Sequence, residues 1–475
     1  MLIGNHSLPF VDNYVNQLNH KTKHYPKAKL LTPGQQAWLS FCLMGIIVTE
    51  SVCWQKFVRA GLQRYSEALL SWYFRYPITW DYLLAASLDV LIETFALTNG
   101  ILVLDDTGKK RSKVTTQIPY VHYFKDKEST GNIRGQEIIF LIFVTPLMTI
   151  PVAFAFYQPD PAYTLWAKEE KRLKKKGVIK SKRPQKPAYN PDYPTKQELA
   201  FRLLEQFCQE HPYIKINGIL ADALYGNNVF MNKASELKGG TQTISQLRSN
   251  QKIQFRGKSR SVSEYFKAYS GVPHTVSIRG KITHVIMNSA RLYVEAQQCK
   301  RLIVAIRYPD EKNYRYLMAS DLSWRTEDVI LCYSLRWLVE VAIEDLKVHE
   351  GWGKATKQPG VDGSRRVLIL SLLCDHCLLL HPEQKARIAD QKPLSTIGSL
   401  QRHLQMDALL AWLHEWLKQT GTTRDDALSS LANKIQTLFP LEPSKKHIHS
   451  MNWEQFKPSP SLKYRNSDAQ AIFSG

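Results

Sequence analysis

Twenty consecutive uncharged residues, Ile138 to Tyr157, constrain this chain more than any other feature. As a helix, a run of about that length would cross the hydrocarbon core of a bilayer. It is, however, rich in β-branched and aromatic residues, and Thr145-Pro-Leu-Met-Thr-Ile-Pro151 lies across its middle. Two prolines there would interrupt a helix, whereas a turn between two buried strands accommodates them. The run therefore reads as a buried β-hairpin in a globular protein that does not enter a membrane. The segment Met1 to Phe10 has no basic stretch followed by an apolar one, so no secretory signal is expected there.

A buried hairpin needs neighbours, and 475 residues are enough for two to four domains. Residues 1–95 have helical spacing, as in Gln35 to Gly45 and Tyr82 to Leu91. Gly100 to Gly108 reads as a buried strand ending in Asp105 and Asp106. Thr195 to His211 is a helix, Ile214 to Gly226 a strand ending at Asp222, Asn228 to Lys238 a helix, and Gly240 to Arg248 a short strand. From 250 to about 322 the pattern alternates with turn signals, which marks a β-rich block. A long helix is then expected from Thr326 to about Glu350, with Glu327 and Asp328 in its first turn and Gly351 at its stop. Further helices follow, and the tail from Glu442 is polar. Cys374 and Cys377 form a CxxC without a second pair to complete a zinc site, so buried helix cysteines are expected.

Charge narrows the class of partner. Lys and Arg total 63 against 42 Asp and Glu, a formal net charge of +21. Such a balance in a chain with a large apolar core favours a folded protein that handles a polyanion, nucleic acid above all. The stretch 168–186 holds ten Lys or Arg and reads as an exposed loop, either solubilising or tracking phosphates.

Strand-end carboxylates are the chemical feature. Asp105 or Asp106, with Asp222, would form a hard, oxygen-only site suited to Mg²⁺, with Mn²⁺ as substitute. Alternation along a strand directs only one of the Asp105/Asp106 pair toward that site. The element order matches an RNase H-like layout, in which a third carboxylate comes from a late helix. On the 326–350 helix, with Tyr333 at zero, Arg336, Glu340, Glu344 and Lys347 fall at about −60°, −20°, +20° and −40°. Acids and bases thus share one stripe opposite an apolar face. For an arbitrary helix that stripe would be solvated salt bridges.

Tyr333-x2-Arg336-x3-Glu340-x6-Lys347 nevertheless resembles, spacing included, the Y-R-E-K signature of bacterial DDE transposases of the insertion-sequence-four group. Leu104-Asp-Asp-Thr107 looks like that family's first-aspartate strand, and Ile219 to Gly226 like its second. The likeness covers residues 100 to 350. It implies Asp106, Asp222 and Glu340 as a catalytic, metal-binding triad, with Glu344 a competitor for the third place. Tyr333, Arg336 and Lys347 would contact DNA, as would Arg248; Tyr316 and Trp324 are the candidates for the aromatic that stacks on a flipped base in hairpin-forming relatives, with a packed aromatic as the alternative reading of each.

The resemblance implies an α/β fold: an RNase H-like catalytic core (96–249 and 326–385) interrupted by a β-rich insertion (250–325). Helical regions would flank it at 1–95 and 386–475, the first a possible DNA binder. It also implies transposon-end cleavage and strand transfer by two metal ions, double-stranded DNA as substrate, a homodimer on paired ends, and a cytoplasmic, nucleoid-associated location in a bacterium. Two rivals remain at this stage: a metal-dependent nuclease without strand transfer, and an inactive DNA-binding derivative.

Overall fold

The computed structural model describes residues 8–61, 65–111, 117–125, 131–356, 358 and 360–419. The polar tail expected from Glu442 lies outside the described residues. Five helices come first: α1 (Pro9–Thr22), α2 (Pro33–Thr49), α3 (Trp54–Ala60), α4 (Glu67–Arg75) and α5 (Trp80–Thr94). The capping box of Thr32 and Gln35 starts α2, which is buried along most of its length.

A twelve-stranded mixed sheet follows. Its first four strands are β1 (Asn99–Lys110), β2 (His122–Lys125), β3 (Asn132–Val144) and β4 (Thr149–Tyr157). After α6 (Pro161–Lys175) and α7 (Lys196–Glu210) come β5 (Lys215–Ala221), α8 (Asn228–Glu236) and β6 (Thr243–Leu247). β3 lies antiparallel to β1, and β2 and β4 share its other edge. On the opposite side of β1, β5 and β6 run parallel. The C-terminal ends of β1, β5 and β6 therefore point the same way.

The twenty-residue apolar run is the β3–β4 hairpin, as its prolines imply. Pro146 sits in the turn, where the Thr145 side chain accepts from the Leu147 and Met148 amides at 3.3 and 3.0 Å. Pro151 pairs with Ile142 where the register shifts, a bulge that tolerates the missing donor. Ile138 to Val144 are all fully buried, and α7 and α11 (Trp337–Val348) both pack against the hairpin. A strand covered on both faces is continuously apolar rather than alternating.

The β-rich block comprises β7 (Lys252–Phe255), β8 (Lys258–Ser261), β9 (Val272–Ile278), β10 (Lys281–Val294), β11 (Cys299–Arg307) and β12 (Arg315–Ala319), with α9 (Val262–Ala268) between β8 and β9. β12 pairs antiparallel with β6, so the block continues the same sheet. A second hydrophobic cluster, including Phe266, Tyr316 and Met318, covers this half.

Two expectations are corrected here. The single helix expected from Thr326 to Glu350 is two, α10 (Thr326–Ser334) and α11. Across the break, Arg336, Leu338 and Val339 donate to carbonyls three residues back, at 3.0, 3.0 and 3.2 Å. Leu335 and Arg336 keep right-handed helical angles, so the turn tightens without unwinding. The second correction is at 168–186, where a loop was expected. α6 runs to Lys175, started by Asp160, whose side chain caps the Ala162 amide at 2.8 Å, and by Pro161 at its first turn.

The remaining helices are α12 (Gly360–Leu379), α13 (Pro382–Ala389) and α14 (Ile397–Gln419). α12 holds Cys374 and Cys377 fully buried, and all seven cysteines are free. A buried polar chain ties α12 to the rest: Tyr14 OH to Ser87 Oγ at 2.6 Å, Ser87 Oγ to His376 Nδ1 at 2.7 Å, and His376 Nε2 to the Pro151 carbonyl at 2.9 Å. Because the carbonyl only accepts, Nε2 carries a proton; with the imidazole neutral, Nδ1 accepts from Ser87 and Ser87 accepts from Tyr14. Among the described residues no single helix is long and apolar enough to cross a membrane; α2 and α3 reach that length and composition only together, bent by 88°.

Candidate active site

Three aspartates meet where the parallel strands end. One carboxylate oxygen each from Asp105, Asp106 and Asp222 lies within 4.8 Å of the others. Asp105 and Asp106 lie on β1, and Asp222 immediately follows β5. Strand alternation would turn one of the neighbouring pair away. Instead, Asp105 Oδ1 folds back along the backbone to accept from the Asp106 amide at 2.8 Å, which brings both carboxylates to the cluster. Asp222 is fixed by its own turn: Oδ1 accepts from the Leu224 amide at 2.8 Å, and its carbonyl accepts from Ser245 at 2.7 Å.

Such a concentration of buried negative charge needs cations. Arg336 Nη1 donates to Asp105 Oδ2 at 2.8 Å, and its Nη2 to Glu340. Lys196, the first residue of α7, donates to Asp106 Oδ2 at 2.8 Å and to Glu137 Oε1 at 2.7 Å. Glu137 also meets His122 Nε2 at 2.8 Å, while His122 Nδ1 faces the Tyr120 carbonyl at 3.0 Å. Burial favours the neutral form of both Glu137 and Lys196, but their hydrogen bonds and ion pairs outweigh it. Glu137 is held below the usual carboxylate range and Lys196 above the usual lysine range, so both stay charged.

Lys347 Nζ donates to Thr107 Oγ1 at 2.7 Å, one residue beyond Asp106. Tyr333 OH donates to the carbonyl of Ala221, next to Asp222, at 3.4 Å. Burial raises the Tyr333 phenol, although Arg336 pulls it down, so the group remains a donor. Tyr225 is fully buried; burial and then the charges of Asp106, Asp222 and Asp105 push its phenol well up. Its hydroxyl has no hydrogen-bond partner among the described residues.

The sequence-derived candidates thus divide. Asp106 and Asp222 stand in the cluster together with Asp105. Arg336, Lys347 and Tyr333 reach the strands that carry the aspartates. Glu340 lies outside the cluster, its side chain 57% exposed and tied to Arg336. Glu344 is exposed, and Arg248 is exposed just past the end of β6. Tyr316 and Trp324 are 6% and 8% exposed, packed aromatics in this structure.

Sequence reasoning missed Lys196, Glu137 and His122. Signals existed for two of them. Lys196 follows the cap in Thr195-Lys-Gln-Glu198, a visible helix start, and Glu137 is the charge that borders the apolar run.

The donor set is all oxygen and anionic, with an unsatisfied buried phenol beside it, and it suits a hard divalent cation. Around it, Arg336, Lys196 and Lys347 concentrate positive charge.

No family model matches the chain, and no curated protein matches it. Among solved structures, the chain is similar to a piggyBac transposase synaptic complex with hairpin DNA determined by cryo-EM. The identity is 11%, over 90% of this chain and 82% of that chain, with a TM-score of 0.42.

Proposed function

We propose that this protein is a DNA transposase of the DDE class, in the insertion-sequence-four group, that cuts transposon ends and joins them to target DNA. One observation carries the reading. Tyr333, Arg336 and Lys347, spaced as in the Y-R-E-K signature, contact Ala221, Asp105 and Thr107 on the two aspartate-bearing segments. A solvated stripe of salt bridges would have no reason to reach them. The order of β4, β3, β1, β5 and β6, three antiparallel strands followed by two parallel to the third, supports an RNase H-like core.

Asp106, Asp222 and Glu340 are the proposed catalytic and metal-holding residues, with Asp105 beside them. Mg²⁺, or Mn²⁺ in its place, would supply Lewis acidity for in-line displacement at phosphorus. Arg336 holds Asp105 and Glu340 together in the free protein. A DNA phosphate competes for the same guanidinium, and its capture by Arg336 would free the Glu340 carboxylate to turn inward. Lys347, Tyr333 and Arg248 would hold the backbone beside the scissile bond. In cutting, water attacks phosphorus and the 3′ oxygen leaves with the proton it acquires. In joining, that 3′-OH attacks a target phosphodiester, losing its proton as the target strand breaks. Paired ends call for a homodimer, acting at the nucleoid of a bacterial cell.

The test is a cleavage and strand-transfer assay on DNA carrying the element's ends, with Asp106→Asn, Asp222→Asn and Glu340→Gln beside the wild type. Mg²⁺-dependent joining lost in all three supports the proposal. Cutting without joining would make the protein a nuclease. Binding of the ends by folded protein without metal-dependent chemistry would make it an inactive derivative.

A further inference from the structure

α6 and the segment after it fold back on each other and little else. Trp166 Nε1 donates to the Pro184 carbonyl at 2.8 Å, Arg183 pairs with Glu170 at 2.7 Å, and the Val178 amide donates to the Leu173 carbonyl at 3.1 Å. Trp166, Glu170 and Leu173 lie within about 60° of one another on the helical wheel, so this face is taken by the chain's own return. No residue of α6 is buried.

The opposite face is basic. Lys168, Lys171, Arg172 and Lys175 follow i, i+3, i+4, i+7 spacing and fall within a stripe of about 100°. All four are exposed. Arg172 pairs with Glu169 at the surface, while the stretch 168–186 carries ten Lys or Arg against two Glu.

Both roots of this arm end on the carboxylate site. Before it, β4 ends at Tyr157, opposite Glu137 on β3. After it, α7 begins at Lys196, whose ammonium bridges Glu137 and Asp106 and lies 5.3 Å from the Tyr157 ring centre.

We propose that the α6 arm is a docking surface for the phosphate backbone of duplex DNA, gripping it alongside the segment in the active site. The occupant follows from charge complementarity: a regular line of exposed cations, rooted at a site proposed to cut DNA, fits a regular polyanion. The inference rests on the function proposed above, and it is tested without using chemistry.

The experiment compares the wild-type chain with Lys168→Gln/Lys171→Gln/Lys175→Gln, which keeps helix-forming residues and alters only exposed side chains. Affinity for an arbitrary-sequence duplex of about 40 base pairs is measured in EDTA between about 50 and 200 mM salt. For every phosphate the arm no longer neutralises, the slope of log K against log[salt] should flatten by about 0.9, with affinity falling severalfold or more at low salt. A slope and affinity equal to the wild type's would overturn the arm, as would failure of the wild type to bind duplex at all. Loss of binding to phosphatidylserine vesicles with duplex binding unchanged would assign the stripe to a membrane surface instead, and overturn it too. If the arm variant loses DNA binding while the wild type shows no metal-dependent cutting, the arm stands and the catalytic reading falls. If joining is intact in both, with equal slopes, the reverse holds.

Discussion

Arg336 and Asp105, 231 positions apart in sequence, are joined by a 2.8 Å hydrogen bond between Nη1 and Oδ2. The carboxylate is 8% exposed and the guanidinium 17%, so neither has water enough to stand alone. Arg336→Ala should therefore lower stability by about 2–3 kcal/mol, somewhat under the cost of breaking a fully buried pair. Adding Asp105→Asn should recover part of that loss, giving a non-additive cycle in urea unfolding. Additive losses would mean the pair contributes nothing jointly.

The His122–Glu137–Lys196–Asp106 chain predicts a stability plateau. Glu137 has a depressed folded value, so its contribution is present above about pH 4.3 and lost as pH falls through that lower value. Lys196 has a raised one, so its contribution is present below about pH 10.4 and lost as pH rises through the folded value. Urea midpoints of the wild type should fall more steeply below about pH 4.3 than those of Glu137→Gln. Parallel acid limbs would exclude Glu137 from the effect.

Metal binding should show in stability before any catalysis is assayed. With Mg²⁺ or Mn²⁺ at about a hundred times its dissociation constant, the folded state gains about 2.7 kcal/mol. Thermal unfolding with and without metal should reveal this shift in the wild type and a much smaller one in Asp106→Asn and Asp222→Asn. An equal shift in all three would place the metal elsewhere.

Direction in the buried chain from Tyr14 to Pro151 makes its members unequal. Tyr14→Phe removes a terminal donor, and Ser87 keeps its bond to His376. Ser87→Ala removes two buried hydrogen bonds of the chain, those to Tyr14 and to His376, and should cost about 0.5–1.5 kcal/mol for each bond lost. Denaturant unfolding should rank Ser87→Ala well below Tyr14→Phe. The opposite ranking would mean that Ser87 is not the link between Tyr14 and His376.

What the sequence revealed and what it hid follow from range. The hairpin was legible because two prolines and a continuous apolar run are local signals. The strand-end aspartates were legible because charge at the end of an apolar run is local too. The break at Leu335–Arg336 was not: both residues stay right-handed helical, and a change from four-residue to three-residue hydrogen bonding leaves the apolar spacing nearly intact. The wheel that aligned Tyr333 with Glu340 assumed four-residue hydrogen bonding throughout, where three-residue bonds tighten the turn at Leu335–Arg336. Lys196 was hidden for a different reason. A lysine in the first turn of a helix looks solvated until the fold sets Asp106, 90 positions earlier, beneath it. The α6 helix was masked by its charge density, which usually signals a loop, although Asp160-Pro161 announced a helix start.

The pairing of β12 on β6 has a mechanical consequence. From β5, which Asp222 follows, hydrogen bonds run without interruption through β6, β12 and β11 to β10 and its exposed partner β9. A continuous ladder ties movement of its far side to the strands that lead to the aspartates. A push on the β9–β10 hairpin, where Ile282 is 79% exposed, would tilt the aspartate-bearing strands along with it. Anything that grips that outer rim takes hold of the aspartate-bearing edge as well.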